Sequence, residues 1–293
     1  MLTYQSIQQL VEDAQSSEKS LSALILEDQA IQLERSAEAL YTDMAYRLGI
    51  MKQSISKGIS SQTKSPSGLS GGAAFKLRKA IDTGRAIGGN ILSETLVKAL
   101  AMAEVNAGMG IIVAAPTAGS CGILPAVLIA LQEENDIPDS SLIMSLFTAA
   151  GIGMVISGKA GMSGAEGGCQ AECGSASAMA AAAAVELLGG TPQMSAHACA
   201  LALKSMLGLV CDPVAGLVEV PCVKRNASGA ANALVAAELA MAGIESMIPV
   251  DEVINAMRRI GVTMQPIYKE TAEGGLAATP TGITIAQRFF ESP

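Results

Sequence analysis

The sequence predicts an all-α protein: a single large helical domain of buried Ala/Gly/Met-rich helices, with a more charged helical subdomain at its N-terminus. Three observations carry this. Half of the 293 residues are hydrophobic, yet aromatics make up only 3% and Trp is absent. The apolar content rests on Ala, Gly and Met, whose small or unbranched side chains suit closely packed helices more than sheets. Near the N-terminus apolar residues recur at helical spacing among charges, while the apolar–polar alternation of a half-buried strand is hardly seen anywhere.

Along the chain, residues 1–57 read as amphipathic helices. Ile25, Ile31, Leu33, Ala37, Leu40, Met44 and Leu48 share a face, with Glu27, Asp28, Glu34, Arg35, Glu38 and Asp43 between them. Gly49 either stops this run or is tolerated inside it. Residues 58–72 are rich in Ser, Gly and Lys and read as a loop, either a flexible linker or a substrate-contacting segment. The domain division expected is 1–60 for the amphipathic helices and 61–293 for the helical domain that carries the cysteines discussed below. Helices are expected at 73–86, 91–107, 123–135, 140–157 (with Gly151 and Gly153 inside), 169–188, 192–209, 226–243 and 250–261, with a short one at the tail. Turns or loops fall at 116–122, 161–168, 210–223 and 274–281. No internal repeat is present.

The formal net charge of −8 excludes the dense Lys/Arg face that a phosphate backbone requires, so no nucleic-acid partner is expected. The N-terminal residues lack the basic start and apolar run of a signal peptide, which points to the cytoplasm. Six cysteines in a reducing compartment are not expected to form disulfides. Two uncharged stretches, between Glu104 and Glu133 and between Asp139 and Lys159, are long enough to cross a bilayer, so a polytopic membrane transporter is an alternative. Against it, the first stretch is broken at 115–122, and neither has an aromatic belt or a clear Lys/Arg bias.

Three cysteines in Gly/Pro-punctuated turns are the chemical signal: Cys169 in Gly-Gly-Cys-Gln-Ala-Glu-Cys, Cys211 in Val-Cys-Asp-Pro, and Cys222 in Val-Pro-Cys-Val-Lys-Arg-Asn. Three thiolates are one short of a closed metal site, and a free metal corner is where a substrate is activated. Cys169 opens a helix, whose positive end would lower its pKa. The spacing between the three matches neither a zinc knuckle, with pairs about two to four residues apart, nor a ferredoxin run. By spacing alone Cys173, one turn after Cys169, and Cys121, in a Gly-rich turn, are equally possible ligands, whereas Cys199 reads as core. Lys159 in Ser-Gly-Lys-Ala-Gly offers a second alternative, a pyridoxal-phosphate dehydratase, although no phosphate cup accompanies it. The single histidine, His197, lies on an apolar helix and reads as structural. Backbone N–H groups and hydroxyls at Ser67, Gly68, Thr117, Gly119 and Ser120 could cradle a carboxylate, or form plain connecting turns. Arg225 and Asn226 follow Cys222 closely enough to touch whatever it binds; a helix N-terminal role for Asn226 is an equal possibility.

The segments 167–176 and 208–226, together with Pro66-Ser67-Gly68-Leu69 and Pro116-Thr117-Ala118-Gly119-Ser120-Cys121-Gly122, resemble the iron–sulfur-dependent L-serine dehydratases, in particular the alpha chain of the two-chain bacterial form. The resemblance runs from about Ser65 to the end of the chain. It implies a mainly helical domain and a [4Fe–4S] cluster held by Cys169, Cys211 and Cys222, with Cys173 as a supporting residue. It implies a lyase that converts L-serine to pyruvate and ammonia, with an open iron acting as Lewis acid on the serine hydroxyl. Single-chain relatives carry a Ser-Ser-His-Thr-like motif in a separate N-terminal domain. No such motif occurs here, so the general base is expected on a beta chain, and the enzyme is expected to be a hetero-oligomer. The chain ends Phe-Glu-Ser-Pro, without the C-terminal cysteine of some relatives, so water or another exogenous ligand is expected on the unique iron.

Overall fold

In a computed structural model, residues 4–290 are described. The chain is helical throughout: α1 (Ile7–Ser16), α2 (Leu21–Gln32), α3 (Ala37–Ser60), α4 (Ala73–Asp82), α5 (Gly89–Ala107), α6 (Ile123–Glu134), α7 (Asp139–Ala160), α8 (Gly164–Gly167), α9 (Ser175–Leu187), α10 (Pro192–Met206), α11 (Cys222–Met241), α12 (Val250–Thr263) and α13 (Pro280–Phe290). No sheet forms among the described residues; one isolated parallel bridge joins Cys211 to Lys269.

Local chemistry explains where the helices begin. Ser6, Ser20 and Ser36 sit in extended backbone and accept hydrogen bonds from Gln9, Ala23 and Ala39 N–H, so each of α1–α3 has a serine N-cap. Thr191 caps α10, with Pro192 at its first position. The N-terminal run expected as amphipathic helices is thus three capped helices, and Gly49 lies inside α3. Asp251, in the first turn of α12, accepts from Ile7 N (3.2 Å) and Gln8 N (3.0 Å) and pairs with Lys159 Nζ (2.9 Å). One carboxylate thereby ties the start of α1 and the end of α7 to α12, completing the α1 cap electrostatically.

The middle of the molecule is α9. Ala180–Ala184 are fully buried, and α6, α7, α10 and α11 all pack around this helix. Short methyl side chains let five helix backbones approach closely without a large side chain between them, and dispersion then acts over many near contacts. The same device operates between α3 and α5, where Gly58 leaves no room for a Cβ against the carbonyl of Ala101. Residues of α1–α3 join this same apolar core.

Boundaries differ from the sequence expectation in interpretable ways. The helix expected at 73–86 ends at Asp82, because Gly84 turns the chain at positive φ. The helix expected at 192–209 ends at Met206 before Gly208, also at positive φ. The segment expected irregular to 223 becomes helical at Cys222, so α11 starts four residues early. The loop at 161–168 contains the single turn α8, and the loop at 274–281 contains a short 3-10 turn, with α13 starting at Pro280. The uncharged stretch after Glu104 is broken into the end of α5, a turn and α6. Among the described residues α7 alone is long and apolar enough to cross a membrane, and two-thirds of its most apolar window is buried inside the protein. The C-terminal residues 291–293, on which the missing-cysteine argument rests, and the first three residues of the N-terminal stretch lie outside the described residues.

Candidate active site

Three cysteine-bearing segments, far apart in sequence, are fastened to one another by backbone hydrogen bonds. Cys169 precedes a π-helical turn (Gln170–Gly174) that runs into α9. Gln170 is wholly buried: its amide N–H groups donate to Gly167 O (2.9 Å) and Met257 O (3.1 Å), and its Oε1 accepts from Gly208 N (2.9 Å). Gln170 N also donates to Leu209 O (2.9 Å), which lays the Cys169 turn beside the segment leading to Cys211. Cys211 N donates to Tyr268 O and Glu270 N donates to Cys211 O, both at 2.8 Å, bringing the 268–270 segment alongside. Cys222 is the first residue of α11. From the next turn of that helix Arg225 reaches back to Val210 O (2.9 Å) and to the Asp212 carboxylate (2.8 Å), so one guanidinium joins the limbs of Cys211 and Cys222.

The thiols respond to this proximity. Burial raises the Cys211 pKa well above its ordinary value, and negative charge at Cys169, Glu270, Glu172 and Cys222 raises it further. Cys222 is pushed up to about 12 by burial and then by Cys169 and Glu172, with Arg225 opposing. Cys169 moves the other way. The Cys173 thiol donates a hydrogen bond to it, which outweighs its burial, and Arg225 adds to the lowering. The sequence had assigned that lowering to a helix end; the structure assigns it first to Cys173, which lies one turn on and keeps its own proton. Cys169, Cys211 and Cys222 are all buried and within electrostatic reach of one another.

Among the described residues no three His, Cys, Asp or Glu side chains converge on a single metal ion. A cubane cluster takes each thiolate on a different iron, so its ligands need not meet at one point. The donor set suits such a group: three buried cysteines on rigid limbs, with one cation, Arg225, whose charge Asp212 already balances. Beside Cys211 the backbone at Gly164 approaches too closely for a side chain. A Cβ at Gly164 would stand 2.9 Å from Cys211 Sγ, 3.2 Å from Glu270 Oε2 and 3.4 Å from Glu172 Oε2.

Those two glutamates escaped the sequence reading. Glu172 lies inside the cysteine motif, one turn after Cys169, so its spacing was an available signal; Glu270 carries none. Burial raises the Glu172 pKa and Glu270 adds to it, while Thr117 Oγ1 donates a hydrogen bond to its carboxylate and opposes the rise. A carboxyl with a raised pKa keeps its proton to higher pH than a free one. Glu270 is exposed.

The expected carboxylate-binding residues fall on two turns. Thr117, Gly119 and Ser120 form one: Thr117 and Ser120 hydroxyls lie 2.9 Å apart, and Asn226 clamps the turn by donating to Gly119 O (2.7 Å) and accepting from Gly122 N (2.9 Å). Asn226 therefore acts from the second turn of α11 rather than at its N-terminus. Ser67 and Gly68 belong to the other turn, where Ser67 Oγ donates to Glu219 (2.6 Å). The 217–222 limb runs between the two: a Cβ on Gly119 would meet both Val218 and Glu172.

The remaining candidates lie elsewhere. Lys159 is the partner of Asp251 under α1. His197 accepts from Ser246 N (3.2 Å) and lies 3.3 Å from the Gln193 amide, a structural position. Cys199 is packed in the core. Cys121 is buried with its thiol 3.9 Å from Met102 O, and burial pushes it up to about 12.

Residues 16–277 match the family model described as "Serine dehydratase alpha chain". The chain is 48% identical to a probable L-serine dehydratase alpha chain of Bacillus subtilis, over 98% of this chain and 95% of that protein. It is 43% identical to the L-serine dehydratase alpha chain of Peptoniphilus asaccharolyticus, over 92% of each. It is 37% identical to L-serine dehydratase 2 of Escherichia coli, over 94% of this chain but only 61% of that longer protein.

Proposed function

The chain belongs to the family of serine dehydratase alpha chains, and from that premise we propose that it is the cluster-bearing half of an L-serine ammonia-lyase, working in the cytoplasm with a beta chain. It is an enzyme of the lyase class. The reaction breaks the Cα–H and Cβ–O bonds of L-serine and releases water. The resulting aminoacrylate tautomerises to an imine, and water hydrolyses that imine to pyruvate and ammonia.

In this reading Cys169, Cys211 and Cys222 hold a [4Fe–4S] cluster. The observation that carries it is that three buried cysteines, each from a different segment, lie on limbs fastened to one another by backbone hydrogen bonds and by Arg225. When bound, the cluster supplies an iron with an open coordination position, a Lewis acid for the serine hydroxyl. The rest is done by the chain's own residues. The turns that carry Ser67, Gly68, Thr117, Gly119 and Ser120 bind the substrate carboxylate through backbone donors, the Ser67 and Thr117 hydroxyl protons being taken by Glu219 and Glu172. Arg225 offsets negative charge among the thiolates. Glu172, partly buried and hydrogen-bonded by Thr117, holds a proton next to the reacting group. The base that takes the α-proton belongs to the beta chain. The names of the two-chain relatives, which call them alpha chains, support this division.

The test is anaerobic co-purification of this chain with a beta chain, followed by iron and sulfide analysis and a pyruvate assay with L-serine. Iron and sulfide in near-equal amounts, with pyruvate formed only by the two-chain preparation, is the expected result. A metal-free preparation that turns over L-serine refutes the cluster; a loaded two-chain preparation that makes no pyruvate refutes the activity.

A further inference from the structure

Glu219 is nearly inaccessible to solvent, at 6% exposure, yet no ion pair to it is present among the described residues. Its carboxylate instead accepts three serine hydroxyls from one short loop: Ser65 (2.6 Å), Ser67 (2.6 Å) and Ser70. The same hydroxyls organise the loop internally. Ser67 Oγ accepts from Leu69 N (3.1 Å), Ser65 Oγ accepts from Ser70 N (3.3 Å), and Ser65 N donates to Ser70 O (3.0 Å). Burial alone would raise the Glu219 pKa, but the hydroxyls outweigh it and hold it lowered, so the loop closes around an anion. Glu219 is also part of the cysteine limb. Its carbonyl accepts from Val223 N (3.0 Å) in the first turn of α11, just past Cys222, and its neighbour Val218 lies beside Gly119.

We propose that Glu219 is a positioning residue that locks the 65–70 loop to the Cys222 limb and so sets the affinity for L-serine. This rests on the reading above for the loop's role, while the lock itself is a property of the chain alone. The Glu219 carboxylate is taken up by the loop serines, so it acts through the loop. With all three hydroxyl protons directed at Glu219, the loop has one shape, and its backbone is presented to the substrate already ordered. A carboxamide in its place offers one acceptor oxygen and a competing donor, so the three-hydroxyl arrangement cannot form.

The first measurement is limited trypsin digestion of the full chain, followed by mass spectrometry of the fragment ending at Lys64, which is exposed immediately before buried Ser65. Glu219→Gln should accelerate this cleavage by about tenfold or more without changing cleavage elsewhere, because cleavage follows local opening. Ser70→Ala, which removes one donor and spares the carboxylate, should give a smaller acceleration, and should add little in the Glu219→Gln background. The second measurement is kinetics of the anaerobic two-chain enzyme. Glu219→Gln should raise KM for L-serine about tenfold while kcat and iron content stay within about twofold. Unchanged cleavage, or an unchanged KM in an active enzyme, overturns the proposal, as does loss of iron, which would make Glu219 a support of the cysteine limb alone. If Glu219→Gln does not fold, Ser70→Ala decides by the same two readouts. If wild-type protein has no L-serine activity, the functional reading has failed, and the digestion alone judges the lock.

Discussion

Asn226 offers the sharpest stability experiment. Its side chain is fully buried and makes three hydrogen bonds: it accepts from Gly122 N (2.9 Å) and donates to Gly119 O (2.7 Å) and Cys222 O (3.0 Å). Asn226→Ala removes all three and strands a buried N–H. At about 0.5–1.5 kcal/mol net per bond, plus about 1–3 kcal/mol for an unsatisfied buried group, the expected loss is about 2.5–7.5 kcal/mol. With a urea m-value of about 3 kcal/mol/M, the unfolding midpoint falls by roughly 0.8–2.5 M. Asn226→Asp is nearly isosteric, yet it places an acceptor against both carbonyl oxygens, so burial raises the pKa of the introduced carboxyl in the folded state. The unfolded state then releases its proton first, and the deficit grows as pH rises above the free carboxyl value of about 3.9. Urea titrations followed by circular dichroism at pH 5 and pH 8 measure both effects. Ser228→Ala, on the exposed side of the same helix, is the control. An Asn226→Ala midpoint equal to wild type, or an Asn226→Asp deficit that shrinks on going to pH 8, refutes the reasoning.

Other expectations are shorter to state. Cys169→Ala, Cys211→Ala and Cys222→Ala should each abolish bound iron and visible absorption in anaerobic preparations, whereas Cys121→Ala and Cys199→Ala should keep both; retention in any of the first three removes that ligand. Gly58→Ala forces a Cβ into the Ala101 carbonyl and should destabilise by about 1–3 kcal/mol. Gly49→Ala, in the same helix with open space around it, should stabilise by about 0.5–1 kcal/mol; thermal melts that rank the pair the other way contradict the α3–α5 packing. The lowered pKa of Glu219 means its contribution is present at neutral pH and is lost as pH falls through its folded value. The stability gap between wild type and Glu219→Gln, measured by urea titration, should therefore narrow on acidification; a gap that widens disproves the assignment.

Much of the architecture was legible before any coordinates. The Ala-rich run at 180–184 announced a helix that other helices must approach closely, and it became the buried centre of the bundle. Cys169, Cys211 and Cys222 were singled out by their Gly/Pro settings and by family resemblance, and all three are buried. Helix ends were less legible. Gly84 and Gly208 stopped helices whose apolar spacing continued, while α11 began early, at Cys222. The site's acidic side escaped because neither glutamate has a motif of its own: Glu270 approaches Glu172 through the bridge between Cys211 and Lys269.

The division has a physical basis. Composition and periodicity report what each segment does with its own backbone and apolar face, which are local quantities, so the helical fold class could be read from the chain alone. Which polar group meets which depends on contacts between residues remote in sequence: Glu219 with three serines of the 65–70 loop, Asn226 with the 119–122 turn, Arg225 with the Asp212 limb. Those pairings arise only when the helices pack and burial leaves each polar group in need of a partner, and for that reason the tertiary structure alone decided them.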